Sequence, residues 1–376
     1  MRARDFRPET KRIVAAITAV AATYAYFLLF AQFGFLKALQ IAAAGKQGVM
    51  MPVLATMGGA GILGSVLAAF VFTMARARRW LIAGFVVCGG AAGLSLAGTS
   101  PGLSFAVAVL IGGGTALVTV TLAGLLWSVL GGWRVGTIIG LGTGLAYGFS
   151  SLPGIFDASP IVQAQLSLLV ALIGAIAALG LVPGAVARDA LDFDCSSPGI
   201  ALWVLLFLLL VWLDSAAFYG FQRAPSFGGE MWAEKSQLAL VAVAHLLAAV
   251  LAGVALDRGW LGRTVAVAAA VLVFACVTLA NRWLGVANVA SIYAAAVSIY
   301  SVALVFYAAN SRSARVAATV YAAAGWGGSA LGIGFAEGRL TVPGWIVAMV
   351  AILIAVGVAV RGVLRGRAKM GEGNQW

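Results

Sequence analysis

Charged residues are scarce in this sequence. They make up 10% of the 376 residues, whereas 62% are hydrophobic, and an ordinary soluble domain carries about 25% charged residues. Long apolar runs recur from near residue 13 to residue 360, which is more apolar surface than a soluble globule of this size can bury. The composition therefore excludes a typical soluble domain and indicates a chain that lies in a lipid bilayer.

Residues that carry metal or catalytic chemistry are also few. The chain has one histidine and three cysteines, Cys88, Cys195 and Cys276, without a C-x-x-C or C-x-x-H pair, so neither a zinc site nor a disulfide framework is indicated. No phosphate-binding G-x-x-x-x-G-K-[S/T] loop is present, and no apolar run holds two carboxylates at helical spacing. We therefore predict that the protein is not an enzyme and has no cofactor.

The apolar runs have the length of membrane-spanning helices. About 20 residues of helix cross about 30 Å of hydrocarbon, whereas barrel strands are about half as long and alternate polar with apolar residues, which these runs do not. We predict an all-α integral membrane protein with twelve transmembrane helices. The predicted spans are 13–35, 48–74, 80–98, 103–130, 135–153, 160–184, 199–222, 236–256, 264–281, 285–308, 316–336 and 342–361.

The positive charges lie at the ends of these spans. The net charge of +12 is therefore interpreted as a topology signal and not as a nucleic-acid interface. With the N-terminus in the cytoplasm, most of the 24 Lys and Arg residues fall on the cytoplasmic side. The basic N-terminal stretch lacks a small-residue cleavage site, so the first span is expected to be a retained helix. We predict a multi-pass protein of the inner (cell) membrane with both termini cytoplasmic.

The spans divide into two sets of six. The longest predicted cytoplasmic connection is acidic, with Asp189, Asp192 and Asp194, and ends in Ser-Ser-Pro-Gly. We predict two pseudo-symmetric six-helix halves, 1–186 and 199–376, joined by a cytoplasmic linker at 187–198.

Glycines recur at helical spacing in two of the spans. Glycines four residues apart lie on one helix face, where a neighbouring backbone can approach closely. We predict tight helix packing at both places, and such faces can also slide during alternating access. The glycines are Gly136, Gly140, Gly144 and Gly148 in span five, and Gly328 and Gly332 in span eleven.

A short motif follows the eighth span. Gly253 is followed by Asp257-Arg258 and, after Gly-Trp-Leu, by Gly262-Arg263. With two six-helix halves and an acidic linker, the chain resembles the major facilitator superfamily, whose cytoplasmic loop motif has a glycine, then Asp-Arg, then glycine and a basic residue. Here two extra residues separate the Asp-Arg pair from Gly262-Arg263.

The resemblance covers the whole chain in architecture and short stretches in motif. The corresponding first-half loop, 75–79, keeps the basic end of the motif but lacks the acidic residue, and a third basic loop lies at 310–315. The resemblance implies a secondary transporter that works by alternating access. It also implies that Asp257, Arg258 and Arg263 form a charge network that stabilises one gating state, although the arginines alone are equally compatible with topology anchors.

Two ionisable residues lie inside predicted spans. Charged groups within the membrane are costly and therefore mark functional candidates. Asp214 in span seven lies about 22 Å from the cytoplasmic end at about 1.5 Å per residue, and a carboxylate there can bind a proton or a cation. His245 in span eight lies at a similar depth, so we predict Asp214 and His245 as the coupling site, with an Asp–His relay as one arrangement. The alternatives are a structural pairing of Asp214 with Arg223 or its hydrogen bond to a neighbouring helix, and a packing role for His245.

The resemblance further implies that spans one, four, seven and ten line a substrate cavity. These spans contain polar and aromatic residues and no deep arginine, which favours a small cation or a partly apolar organic molecule over a strongly anionic substrate. The predicted cavity residues are Tyr24, Gln32, Trp127, Ser215, Tyr219, Gln222, Asn288 and Tyr300.

Two other functions remain open. Met50, Met51, Met57 and Met231, with His245, are soft ligands of the kind that copper(I) prefers, and some members of the superfamily import copper; a dedicated metal site is nevertheless not predicted, because Ala249 stands where a methionine would follow His245. The second alternative is a non-transporting scaffold or assembly subunit, with partners in a larger membrane complex. In either case the expected partners are the lipid bilayer and, for a transporter, a small solute.

Overall fold

The computed structural model describes residues 9–42, 50–98, 100–184, 198–223, 234–281 and 286–337, together with residues 347, 352 and 357. These residues form helices joined by short connections, with no strand among them. The helices are α1 (Thr10–Ala42), α2 (Met50–Val71), α3 (Ala77–Ser95), α4 (Pro101–Leu130), α5 (Val135–Ser150), α6 (Pro160–Leu179), α7 (Pro198–Arg223), α8 (Lys235–Asp257), α9 (Leu261–Asn281), α10 (Val286–Asn310) and α11 (Ala314–Ala336).

The all-helical membrane architecture predicted from the sequence is confirmed over these residues. Within the described part of the chain, nine helices are long and apolar enough to cross a membrane, and α5 is a shorter apolar helix. α3, of 19 residues, coincides with the third predicted span. The twelfth span, 342–361, lies outside the described residues apart from three helical positions, so the count of twelve stays a prediction. The linker at 187–198 also lies outside them, except for Pro198.

The apolar side chains point outwards as well as inwards. Phe70 is 78% exposed and Leu251 68% exposed, and both lie within long helices. A soluble protein rarely exposes so many large apolar side chains on neighbouring helices, because each would contact water. In a bilayer these side chains contact acyl chains, and the helices satisfy their own backbone hydrogen bonds.

We call α1–α6 the first group of helices and α7–α11 the second group. In the first, α2 and α3 pack against α4, α3 against α6, and α1 against α5 and α6; in the second, α7 packs against α11, and α8 and α9 pack against α10. The groups meet along two seams, one formed by α5 and α8 and the other by α2 and α11. We call these the first seam and the second seam. The central cavity lies between the two seams.

The predicted glycine face of α5 forms the first seam. A Cβ at Gly136 would lie 2.5 Å from the main-chain oxygen of Gly253, and one at Gly148 would lie 3.2 Å from that of Ala242. The glycines therefore allow main chain to contact main chain across the seam. Gly332 of α11 is equally close to α7, since its Cβ would lie 2.9 Å from the Cβ of Ser215.

Candidate functional site

A cavity of about 300 Å³ lies at the centre of the helix bundle. Residues from both groups line it, and most of them are apolar or aromatic. Among the described lining residues, Asp214 is the one carboxylate and His245 the one imidazole, and none is lysine or arginine. The described lining is therefore mostly apolar or aromatic, with one acidic group.

Two tyrosines of α10 hold the Asp214 carboxylate. The hydroxyl of Tyr293 donates to Oδ1 and that of Tyr300 donates to Oδ2, and the Tyr293 hydroxyl also lies 3.1 Å from the main-chain oxygen of Asp214. The tyrosines are seven residues apart, which is about two helical turns and places both on one face of α10. Each carboxylate oxygen thus has its own phenol donor.

His245 is buried on α8 and contacts a different part of α10. Its Nδ1 lies 2.7 Å from the hydroxyl oxygen of Ser298, and its ring lies 5.0 Å from that of Tyr147. The Tyr147 hydroxyl in turn lies 3.0 Å from that of Ser301. Within the described residues, Asp214 and His245 line the same cavity but are not hydrogen-bonded to each other, so the relay has no direct contact in this conformation.

Helices α1 and α11 meet at the cavity wall. The hydroxyls of Tyr24 and Tyr321 are 3.0 Å apart, and the rings of Phe27 and Trp326 meet edge to face at 6.2 Å. Each helix has a π-helical stretch here, Phe27–Gly34 in α1 and Val320–Gly327 in α11. Such stretches are rare in helices and frequent at functional sites.

Five of the other predicted cavity residues line the cavity: Tyr24, Gln32, Ser215, Tyr219 and Tyr300. The Ser215 hydroxyl donates to Ser329 at 3.2 Å, and the Tyr219 hydroxyl donates to Glu337 at 2.6 Å.

The remaining three predicted cavity residues are not among the described lining. The ring of Trp127 lies beneath the guanidinium of Arg312 at 4.1 Å, near the end of α4. Asn288 is exposed near the beginning of α10. The side chain of Gln222 lies outside what the structure describes.

The sequence marks some side chains of the site better than others. Tyr293 and Tyr300 are both candidate lining residues of the tenth span, and Tyr293, Val297, Tyr300 and Leu304 recur at spacings of four, three and four, which defines one face of a helix; all four line the cavity. Tyr147, Tyr321 and Trp326 also line it, but their helices are apolar on all sides, so no periodicity marks the inward face.

The predicted gating residues lie at one end of the first seam. The Asp257 carboxylate accepts hydrogen bonds from the main-chain N–H groups of Gly136 at 2.7 Å and Thr137 at 2.8 Å. It thereby caps the first turn of α5, whose N–H groups have no partner within the helix. Arg258 and Arg263 both contact the ring of Trp260, at 5.7 and 5.6 Å.

The methionines considered as copper ligands are only partly near the cavity. Met51 and Met57 line it together with His245. Met50, the first residue of α2, packs against the hydrophobic core, and Met231 lies outside the described residues. Within the described residues there is no group of three or more His, Cys, Asp or Glu side chains arranged to hold a metal ion.

No protein-family model matches the sequence, and no curated protein matches it. Solved structures do match the fold. The nucleoside transporter NupG is 12% identical, with 94% of this chain and 98% of that chain covered at a TM-score of 0.57. The human organic anion transporter MFSD10 (TETRAN) is 14% identical, with 94% of this chain and 99% of that chain covered at a TM-score of 0.65. At these identities the likeness shows the fold, and it extends over nearly the whole chain.

Proposed function

We propose that this chain, which has the fold of the major facilitator superfamily transporters, is a secondary active transporter with Asp214 as its coupling site. It moves a small solute, a cation or a partly apolar organic molecule, by alternating access between the two halves, 1–186 and 199–376. The observation that carries the proposal is the Asp214 carboxylate in the central cavity, held by two phenols.

Placing an ionised carboxylate inside a membrane protein is costly. No lysine or arginine among the described lining residues offsets its charge, so the carboxylate has a chemical reason to bind a proton or a cation. Binding and release of a proton at Asp214 would couple the solute to the proton gradient. His245, hydrogen-bonded to Ser298, is the second group in the cavity that can exchange a proton.

Alternating access requires the two groups of helices to separate at one end of the cavity and close at the other. In the proposed orientation, with both termini cytoplasmic, the contact of Asp257 with α5 closes the cytoplasmic end of the first seam. Arg258 and Arg263 belong to the same loop and are proposed to stabilise this gating state.

The cavity offers a test that needs no known substrate. Ser215 lines the cavity, whereas Ser65 on α2 is fully buried and does not. In a chain whose three native cysteines are replaced by serine, Ser215→Cys is treated with a membrane-impermeant thiol reagent in vesicles of either orientation. A transporter exposes this cysteine to both sides in turn, so reaction from both sides is expected, while Ser65→Cys reacts from neither.

Reaction of Ser215→Cys from one side only, under every condition, would contradict alternating access. Together with retention of other subunits in stoichiometric amounts after purification in detergent, it would establish the scaffold alternative instead.

A further inference from the structure

Asp214 is the one acidic side chain among the described lining residues, and none of them is lysine or arginine. When its carboxylate is ionised, it accepts from the phenols of Tyr293 and Tyr300 and places a negative charge in the cavity. Lys37 is not among the lining residues; its ammonium donates to the main-chain oxygen of Phe156 at 2.7 Å and lies 5.5 Å from the centre of the Phe156 ring. An anionic ligand would meet this carboxylate without a lysine or arginine among the described lining residues to offset the repulsion, which disfavours it.

Aromatic rings form part of the cavity wall. Ring faces attract cations through their quadrupole, and Trp, Tyr and Phe all do so. Phe33 and Phe218 lie 6.2 Å apart across α1 and α7, and Phe27 and Trp326 meet across α1 and α11. All of these rings line the cavity, so a cation held near Asp214 would also have apolar and aromatic surface beside it.

The size and chemistry of the cavity favour an organic cation over a divalent metal ion. Calcium and magnesium need about six or more oxygen ligands, whereas Asp214 is the one carboxylate among the described lining residues and its oxygens already accept from two phenols. Each carboxylate oxygen keeps a second lone pair, which is enough for one ammonium contact. A cavity of about 300 Å³ falls at the lower end of the range of small-molecule sites.

We infer that the cavity binds a monovalent, partly apolar organic cation, with its positive group at the Asp214 carboxylate and its apolar part against the aromatic walls. This inference rests on the proposed function and narrows its substrate from small solutes in general to ammonium-type or phosphonium-type cations. A proton and such a cation would compete for the same carboxylate, so proton release would accompany cation binding.

Pairs of probes with one shape and opposite charge test the inference. Benzyltrimethylammonium is matched by phenylmethanesulfonate, and tetraphenylphosphonium is matched by tetraphenylborate. Binding to the full chain purified in detergent is measured by isothermal titration calorimetry. We expect at least one cation to bind and its matched anion to bind at least about tenfold more weakly, which corresponds to about 1.4 kcal/mol.

Two acid-to-amide variants test whether the cation binds at Asp214. Asp214→Asn is expected to weaken cation binding by about tenfold or more, whereas Asp157→Asn, which changes an exposed acid outside the cavity, should leave it unchanged. The charge preference of the unaltered chain tests the inference even if Asp214→Asn does not fold, and thermal unfolding of each variant shows whether it does. Failure of both cations to bind, anions that bind as tightly, or unchanged affinity in a folded Asp214→Asn chain would overturn the inference.

The outcomes separate this inference from the proposed function. If Ser215→Cys reacts from both sides but neither cation binds, the transporter proposal stands and the substrate class is wrong. If a cation binds through Asp214 but Ser215→Cys reacts from one side only, the binding site stands and transport by alternating access is wrong.

Discussion

The two seams between the helix groups are built differently. In the first seam, glycines of α5 bring main chain against main chain, so that a Cβ at Gly144 would lie 3.1 Å from both the Ala249 Cβ and the Leu246 main-chain oxygen. In the second seam, Gly61 of α2 leaves room for the indole of Trp326. One seam is therefore closed by backbone and the other by a large side chain that also lines the cavity.

The helix caps at the two seams also differ, because one is supplied from across the seam and the other from the residue just before the helix. The first turn of α5 is capped by Asp257, which belongs to α8 on the opposite side of the seam. The first turn of α11 is capped by its own Ser313, whose hydroxyl accepts from the Val316 N–H at 3.4 Å. In the predicted arrangement of two halves, the loop after α2 corresponds to the loop after α8, but this loop and the first turn of α3 contain Arg76, Arg78 and Arg79 and no carboxylate.

The two kinds of contact differ in how easily they can rearrange. A backbone contact has no side chain that can rotate away, and packed interfaces respond by discrete rearrangement more than by gradual deformation. A ring that borders a cavity has empty space to move into. We expect the first seam to resist perturbation more than the second, and three substitutions test this expectation.

The largest effect is expected from Gly140→Ala in the first seam. The added Cβ would overlap the main-chain oxygen of Ala249, so α5 and α8 must move apart. Overpacking of this kind costs about 3 kcal/mol of unfolding free energy, measured as a lowered midpoint of thermal unfolding in detergent.

Gly90→Ala on α3 is the matched control, because nothing lies within 4 Å of its added Cβ. Alanine has the higher helix propensity, so this variant should be unchanged or slightly stabilised. Equal losses in the two variants would show that the close approach at Gly140 contributes nothing.

An intermediate effect is expected from Asp257→Ala. The change removes the acceptor of the Gly136 and Thr137 N–H groups, and loss of a helix cap costs about 1 to 1.5 kcal/mol. The thermal midpoint should fall, and Asp257→Asn should recover part of the loss because its amide oxygen still accepts. Ser313→Ala, which removes the cap of α11, serves as the comparison; a larger loss there than at Asp257 would contradict the asymmetry between the seams.

The smallest effect on stability is expected from Gly61→Ala in the second seam. Its Cβ would overlap the Trp326 ring, which can rotate towards the cavity, so the loss is expected to be about 1 kcal/mol or less. The displaced ring should also reduce cation binding in the calorimetric assay. A loss of stability as large as that of Gly140→Ala would show that the second seam is equally rigid.

The coarse features of the fold could be predicted from the sequence because they depend on local properties. Helix positions follow from apolar length and from the need to satisfy backbone hydrogen bonds in lipid, and the glycine face of α5 follows from a spacing of four. Asp214 stood out because a carboxylate within an apolar run is rare.

The partners of these residues could not be predicted. Trp127 and Asn288 are polar or aromatic residues of the predicted lining helices, yet the first packs under Arg312 and the second is exposed. Which face of an apolar helix points inwards depends on its neighbours, because lipid and protein interior are equally apolar. The loop motif identified Asp257 but not its acceptor role at the first turn of α5, because that contact depends on how α8 packs against α5.

The sequence by itself determined that this chain lies in a membrane as a bundle of apolar helices with an isolated acid in the seventh, because length, hydropathy and charge placement act residue by residue. The tertiary structure alone decided that Tyr293 and Tyr300 of a helix about 80 residues away hold that acid, and that aromatic rings from α1, α7 and α11 line the same cavity. Those contacts depend on how the helices cross, and crossing is fixed by packing between distant parts of the chain.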